Sequence, residues 1–153
     1  MTETKAPAYK PVRVIPCEDI LKIIPHRYPF MMVDRVEVVE EGKYCVGVKC
    51  VSANELYFHG HFPEKPIMPG VLMLEGMAQT AAAMMMDLPE TKGRLGFFAG
   101  INKAKFRRQV VPGDVLKMHV EIVKFKSRIG KVRGSAWVGD EPAAGAELTF
   151  AIG

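Results

Sequence analysis

The sequence has no C-x-x-C pair, only three cysteines, a single tryptophan, and no uninterrupted apolar run of membrane-spanning length. An odd cysteine count without paired spacing excludes a disulfide-stapled scaffold, and in one extended strand Cys45 and Cys50 would point to opposite faces. A reducing, cytoplasmic setting is therefore expected. Met1 to Pro11 holds no apolar stretch of the kind a secretory leader needs, so residues 1–15 are expected to be a flexible tail ahead of one domain spanning 16–153. The longest apolar stretch, Gly70 to Met86, is broken by Glu75 and is shorter than the roughly 20 residues of a membrane span. It is expected to lie buried in protein, with no membrane insertion.

Acids are scarce in one region. The segment from Lys92 to Arg133 carries twelve of the 21 Lys and Arg residues and only two acids, Asp114 and Glu121. Such a run is either a solvated sheet face or a docking surface for an acidic partner. No nucleic-acid module accompanies the charge, so nucleic acid is not expected to be that partner. What the chain does have is bulk: 153 residues, 48% of them hydrophobic, fold as one domain that buries about 70% of its unfolded surface.

Punctuation by proline and glycine divides the chain. Cys17 to Ile24 reads as a short helix ending at Pro25, followed by the loop His26-Arg27-Tyr28-Pro29-Phe30. Met31 to Glu41 and Tyr44 to Val51 read as a hairpin turning at Gly42. Residues 59–70 contain three prolines and two glycines, which makes a shaped loop rather than a regular element. It feeds a helix from Gly70 to Met86 that is apolar on nearly every side and must be surrounded by protein. Period-two segments follow at 95–101, 103–110, 115–126, 128–138 and 143–152, with Asn102 separating the first two and Lys103, Lys105 and Arg107 on one strand face. The fold class is α+β, an antiparallel sheet wrapped around a long central helix.

Glu75 is the first anomaly. An ionised carboxylate among Val, Leu, Met and Ala is costly unless paired, and burial favours the protonated form that a general acid needs. Alternatively, the helix face bearing Leu72, Glu75, Gln79 and Ala82 simply meets solvent. Gln79, one turn on, is a natural hydrogen-bond partner for the carboxylate. His61 is the second anomaly, an imidazole in a rigid loop just ahead of the helix and suited to act as a neutral base. His59 and His61 could chelate a metal, but further ligands are missing at convincing spacing, so no metal is expected. Gly70 is the third, because a helix start presents free N–H groups and a positive dipole end to an oxyanion or carbonyl. Base, acid and donor within fifteen residues describe proton abstraction beside a carbonyl with departure of a hydroxyl, a dehydration.

The segment His61-Phe62-Pro63-Glu64-Lys65-Pro66-Ile67-Met68-Pro69-Gly70-Val71, with Leu74-Glu75-Gly76-Met77-Ala78-Gln79, closely resembles the (3R)-hydroxyacyl-(acyl-carrier-protein) dehydratase family of FabZ type. Pro25 to Phe30, Val33 to Val36, Lys103 to Arg108 and Val111 to Asp114 support the resemblance, which spans residue 16 to the C-terminus. It implies a hot-dog fold acting in type II fatty-acid synthesis without a cofactor. It also implies a site shared between the histidine of one subunit and the glutamate of another, in a dimer assembled as a trimer of dimers. His61 is then the base for the C2 proton, Glu75 the acid for the C3 hydroxyl, and the Gly70 amide the donor to the thioester carbonyl. Gly70, Val71, Gln79, Phe97 and Phe98 are the candidate substrate-binding residues. Phe97, Phe98, Met73 and Met77 would line an acyl tunnel or be ordinary core. The partner implied is acidic acyl carrier protein, which favours docking on Lys103, Lys105, Arg107 and Arg108. Gly76 stands where the family more often has alanine, and His59 where a small or polar residue is commoner. A glutamate rather than an aspartate at position 75 suggests dehydration without isomerisation. The alternatives are a hot-dog thioesterase and a non-catalytic acyl-chain or carrier-binding module.

Overall fold

Period-two hydrophobicity in the second half of the chain has a direct structural outcome. In β6 (Ile129–Val138) and β7 (Glu141–Ile152) buried residues such as Val132, Ala136, Leu148 and Phe150 alternate with exposed or half-buried ones. In this computed structural model, which describes residues 4–153, those strands belong to one sheet. The others are β1 (Arg13–Ile15), β2 (Arg35–Glu40), β3 (Tyr44–Cys50), β4 (Gly96–Phe106) and β5 (Val115–Lys126). All seven pair antiparallel in the order β1-β2-β3-β5-β6-β7-β4, and helix α2 (Gly70–Met85) lies against the inner face, with the short α1 (Cys17–Ile23) after β1.

The sheet accepts α2 because small residues let the two backbones approach. A Cβ at Gly47 of β3 would lie 2.0 Å from Thr80 Oγ1, and one at Gly76 would lie 2.5 Å from Met118 Sδ and 3.1 Å from the Met32 carbonyl. A Cβ at position 76 would require the Met118 side chain to shift and the Met32 carbonyl to give by a few tenths of an ångström, so glycine here permits the close approach. Met73, Leu74, Met77, Ala81 and Met84 fill the core from the helix side. Thr80 returns its hydroxyl to the Gly76 carbonyl at 2.7 Å, so even the helix's polar face is internally satisfied.

Three expectations are corrected. The tail expected over residues 1–15 falls in part on residues 1–3, outside the described residues, but Arg13–Ile15 form the edge strand β1 against β2. Ahead of it the Ala6 N–H donates to Asp140 Oδ1 at 3.2 Å and the Tyr9 hydroxyl to Glu37 Oε1 at 2.5 Å. Segments 95–101 and 103–110 are not two strands. Asn102 marks a bulge, with Lys103 at φ 53°, inside the single strand β4, which ends at Phe106. The strand expected from Met31 begins only at Arg35, because the Met32 N–H is taken by the Gln79 side chain at 2.8 Å instead of a neighbouring strand.

The segment ahead of β1 lies against β2 and β5, where the Tyr9 hydroxyl meets Glu37 and accepts from Lys117 Nζ at 2.9 Å. There His119, 4% exposed, meets the Tyr9 ring edge-on at 5.3 Å and shares a 2.6 Å contact between Nδ1 and the Tyr44 hydroxyl. Burial, and secondarily the Lys117 ammonium, push its pKa down to about 4 against the opposing pull of Glu37. An unfolded histidine titrates near 6.5, so between about pH 6.5 and 4 the unfolded chain holds a proton that the folded chain does not. This contribution to stability is complete above pH 6.5 and is lost as pH falls toward 4. Urea unfolding at pH 7 and 4.5 should show a loss of about 2.5 kcal/mol that is absent from the pH dependence of His119→Phe.

Candidate active site

Proline and glycine give the loop ahead of α2 its shape, and backbone hydrogen bonds hold it. The Phe62 N–H donates to the Lys65 carbonyl at 2.9 Å and the Lys65 N–H returns to Phe62 at 3.1 Å, closing a turn. The Met68 N–H donates to the Val110 carbonyl at 2.8 Å and ties the loop to the body. Inside this frame His61 Nδ1 lies 2.8 Å from the Ile67 carbonyl. A carbonyl only accepts, so Nδ1 carries a proton, and the tautomer this selects has its lone pair at Nε2. The ring also stacks on Phe62 at 4.1 Å between centroids.

Glu75 lies on the second turn of α2 with its side chain 16% exposed, and its Oε1 accepts a 2.9 Å hydrogen bond from Gln79 Nε2. Along the helix face bearing these residues Leu72, Glu75 and Ala82 are half-buried, and only Gln79, 1% exposed, is fully enclosed. Its amide is fully used, since Oε1 accepts from the Met32 N–H at 2.8 Å and Nε2 also donates to the Phe30 carbonyl at 2.7 Å. Gln79 is therefore a brace between the carboxylate and the 30–32 loop, with both amide hydrogens committed.

Glu75 borders a cavity of about 220 Å³ whose walls are otherwise nearly all apolar, among them Ala82, Met86, Phe97, Phe98 and Phe150. Phe97 and Phe98 line this cavity, whereas Met73 and Met77, 2% and 0% exposed, are core. His61, Gly70 and Val71 do not line this cavity. Gly70 opens α2 beside the Phe106 ring, 2.8 Å from where a Cβ would sit, and Val71 is exposed. Within one chain the acid and the apolar cavity come together; the loop histidine and the helix start stand apart from them.

The basic segment is also divided. Arg107 and Arg108 lie beyond the end of β4, and the bulge at Lys103 breaks the alternation that would align the cations. Arg108 is paired with Asp114 at 2.8 Å and with Glu141 at 2.9 Å, so its guanidinium is engaged within the fold. Lys103 reaches Glu147 at 3.8 Å, and Lys105 and Arg107 are exposed. His59 ends a short 3-10 turn, Leu56–His59, and is exposed.

One residue passed over in the sequence is His26. Its Nε2 sits 3.5 Å from Glu75 Oε1 and it lines the same cavity. The signal was a histidine fixed between Pro25 and Arg27, whose guanidinium donates to the carbonyls of Leu21, Ile24 and His26.

An antiparallel sheet wrapped around one buried helix defines a hot-dog protein. Solved structures agree: the dehydratase heterocomplex ApeI:P from Xenorhabdus doucetiae matches at TM-score 0.72 and 16% identity, over 86% of this chain and 89% of that one. A hot-dog-like protein from Thermanaerovibrio acidaminovorans matches at TM-score 0.59 and 19% identity, over 81% and 84% of the two chains. Within that class, the chain belongs to the FabA-like domain family, whose model matches residues 24–147. It is 59% identical to the 3-hydroxyacyl-(acyl-carrier-protein) dehydratase FabZ of Pelotomaculum thermopropionicum across 133 residues, 87% of this chain and 95% of that relative.

Replacing Gln79 with leucine would keep the volume and remove the brace. The Met32 N–H and Phe30 carbonyl would lose their partner, at a cost of roughly 2–4 kcal/mol. The urea midpoint should fall accordingly and turnover should fall with it, because Glu75 loses its fixed orientation.

Proposed function

We propose that this protein removes water from (3R)-hydroxyacyl thioesters carried on acyl carrier protein, giving trans-2-enoyl thioesters in fatty-acid biosynthesis. The observation that carries the reading is Glu75, a carboxylate turned toward an apolar cavity large enough for part of an acyl chain, on a chain closely similar to dehydratases of this name. His61 Nε2 takes the proton from C2, and the C2–H electron pair becomes the C2=C3 double bond. The C3–O bond breaks as Glu75 delivers its proton to the hydroxyl, which leaves as water. Charge that develops on the thioester oxygen is met by the Gly70 N–H at the positive end of α2. Turnover leaves His61 protonated and Glu75 ionised, and a solvent proton exchange resets both.

The acid and base act across two copies of the chain. Strand β4 is the sheet's last strand, 11 residues long and exposed throughout almost its whole length, with Phe97, Phe98, Ile101 and Phe106 uncovered. An apolar edge of that length invites pairing with a second copy, and such a dimer would bring the His61 loop of one protomer to the Glu75 cavity of the other. Trimerisation of such dimers accords with the same family reading, as does action in the cytoplasm. Among the described residues no helix is long and apolar enough to cross a membrane. The cationic side chains free to meet an acidic carrier are Lys105 and Arg107, with Lys103 close by.

Hydroxyacyl carrier protein incubated with the wild type should gain enoyl absorbance without release of free thiol; thiol release would instead mark a thioesterase. His61→Ala and Glu75→Gln should each lower kcat by about 10²-fold or more. Co-expressing the two variants should recover activity in mixed dimers that hold one intact site, whereas a site confined to one chain would stay inactive. Arg107→Glu should lower kcat/KM about tenfold at low salt for the carrier-bound substrate and leave a small pantetheine thioester unaffected.

A further inference from the structure

We infer that His26 is a positioning residue for the elimination: it directs the acidic proton of Glu75 to Oε2. This rests on the dehydratase reading and adds a residue to it. The Gln79 amide has only one admissible orientation, because its oxygen end must accept the Met32 N–H at 2.8 Å. Both amide hydrogens are then donors, one to the Phe30 carbonyl at 2.7 Å and one to Glu75 Oε1 at 2.9 Å. A second nitrogen faces the same oxygen, His26 Nε2 at 3.5 Å.

The state of His26 follows from its other nitrogen. Nδ1 is buried and has no hydrogen-bond partner among the described residues, while Nε2 looks at a carboxylate oxygen. A neutral ring carries one N–H, and the side that faces an acceptor is where it is satisfied. With the proton on Nε2, two N–H groups converge on Oε1. An oxygen that accepts the amide hydrogen bond and faces the imidazole N–H at 3.5 Å is the poorer place for the carboxyl hydrogen, so the acid carries it on Oε2. As that hydrogen leaves for the C3 hydroxyl, negative charge grows on the carboxyl group, and the two donors stabilise it more than they stabilised the neutral acid. The benefit is therefore specific to the transition state and falls on kcat rather than on KM.

Placement supports the role. Arg27, anchored on three carbonyls, holds the chain at His26, and the imidazole lies parallel to Phe30 with centroids 6.5 Å apart. Among the described residues, His26 and Glu75 are the titratable side chains lining the cavity, so no third such group competes for Oε1 there.

Two substitutions separate this role from simple packing. His26→Phe keeps the ring and its stack but removes both nitrogens; His26→Gln loses the ring but can place an amide N–H near the position of Nε2. The expected result is a kcat about tenfold lower in His26→Phe with KM within about twofold of wild type, and a kcat within about threefold in His26→Gln. In a Glu75→Gln background, His26→Phe should cause no further loss, because the group it acts through is gone. Wild-type kcat in His26→Phe overturns the inference, and so does a His26→Gln enzyme at least as impaired as His26→Phe. Additive loss in the Glu75→Gln background overturns it too. Wild-type protein inert toward hydroxyacyl carrier protein would overturn the dehydratase reading itself, an outcome distinct from an active wild type whose His26 variants behave alike.

Discussion

A helix sunk into a sheet leaves each polar side chain it carries in a place where an unmade hydrogen bond is costly, and α2 carries few of them. Thr80 satisfies itself on the turn below it. Gln79 reaches outward, accepts the Met32 N–H and donates to the Phe30 carbonyl and to Glu75. Three features follow from this one amide. The chain after Phe30 is held off the sheet, so β2 starts late; the loop that carries His26 is kept against the helix; and the carboxylate has one oxygen committed. The buried helix is what makes the amide indispensable, and the amide is what turns a buried carboxylate into an oriented one.

The same helix explains why small residues recur where it meets the sheet. Thr80 occupies the space a Cβ on Gly47 would need, and Met118 and the Met32 carbonyl occupy the space beside Gly76. Close approach on this side contrasts with the side facing Phe97, Phe98, Phe125 and Phe150, where large rings stand back and leave the cavity. Packing density thus differs across one helix: tight where small residues meet it, open where aromatic rings do. The open side is where Glu75 lies.

Much of this was legible in the sequence, and for identifiable reasons. The period-two alternation of β6 and β7 and the apolar run of α2 are local patterns, and they placed those elements almost to the residue. Glu75 stood out because a charge in an apolar helix is conspicuous in one dimension. What was not legible has a different origin. The ion pairs of Arg108 with Asp114 and Glu141 cannot be read from spacing, because Glu141 is remote in sequence. Asn102 resembled a strand break because a bulge and a turn use the same residue types. Residues 13–15 looked like tail because a three-residue strand has no periodicity to read; its partner β2 supplies the order. Gln79 was named as a partner of Glu75, but its grip on residues 30 and 32 depends on a loop that no spacing rule connects to the helix.

His26 and His119 show how location changes the meaning of one chemical feature. Each ring has a buried nitrogen without a hydrogen-bond partner among the described residues. His119 faces a tyrosine hydroxyl on one side and has the Lys117 ammonium nearby, and burial there keeps it neutral to low pH, so its consequence is stability. His26 instead has its second nitrogen directed at a carboxylate that borders an open cavity. An imidazole with a phenol for a neighbour can do little beyond fixing a wall. One that faces, at 3.5 Å, the carboxylate oxygen to which an amide donates, beside space a substrate can enter, biases where a proton resides, and that bias acts only if the neighbouring carboxyl group gives its proton away.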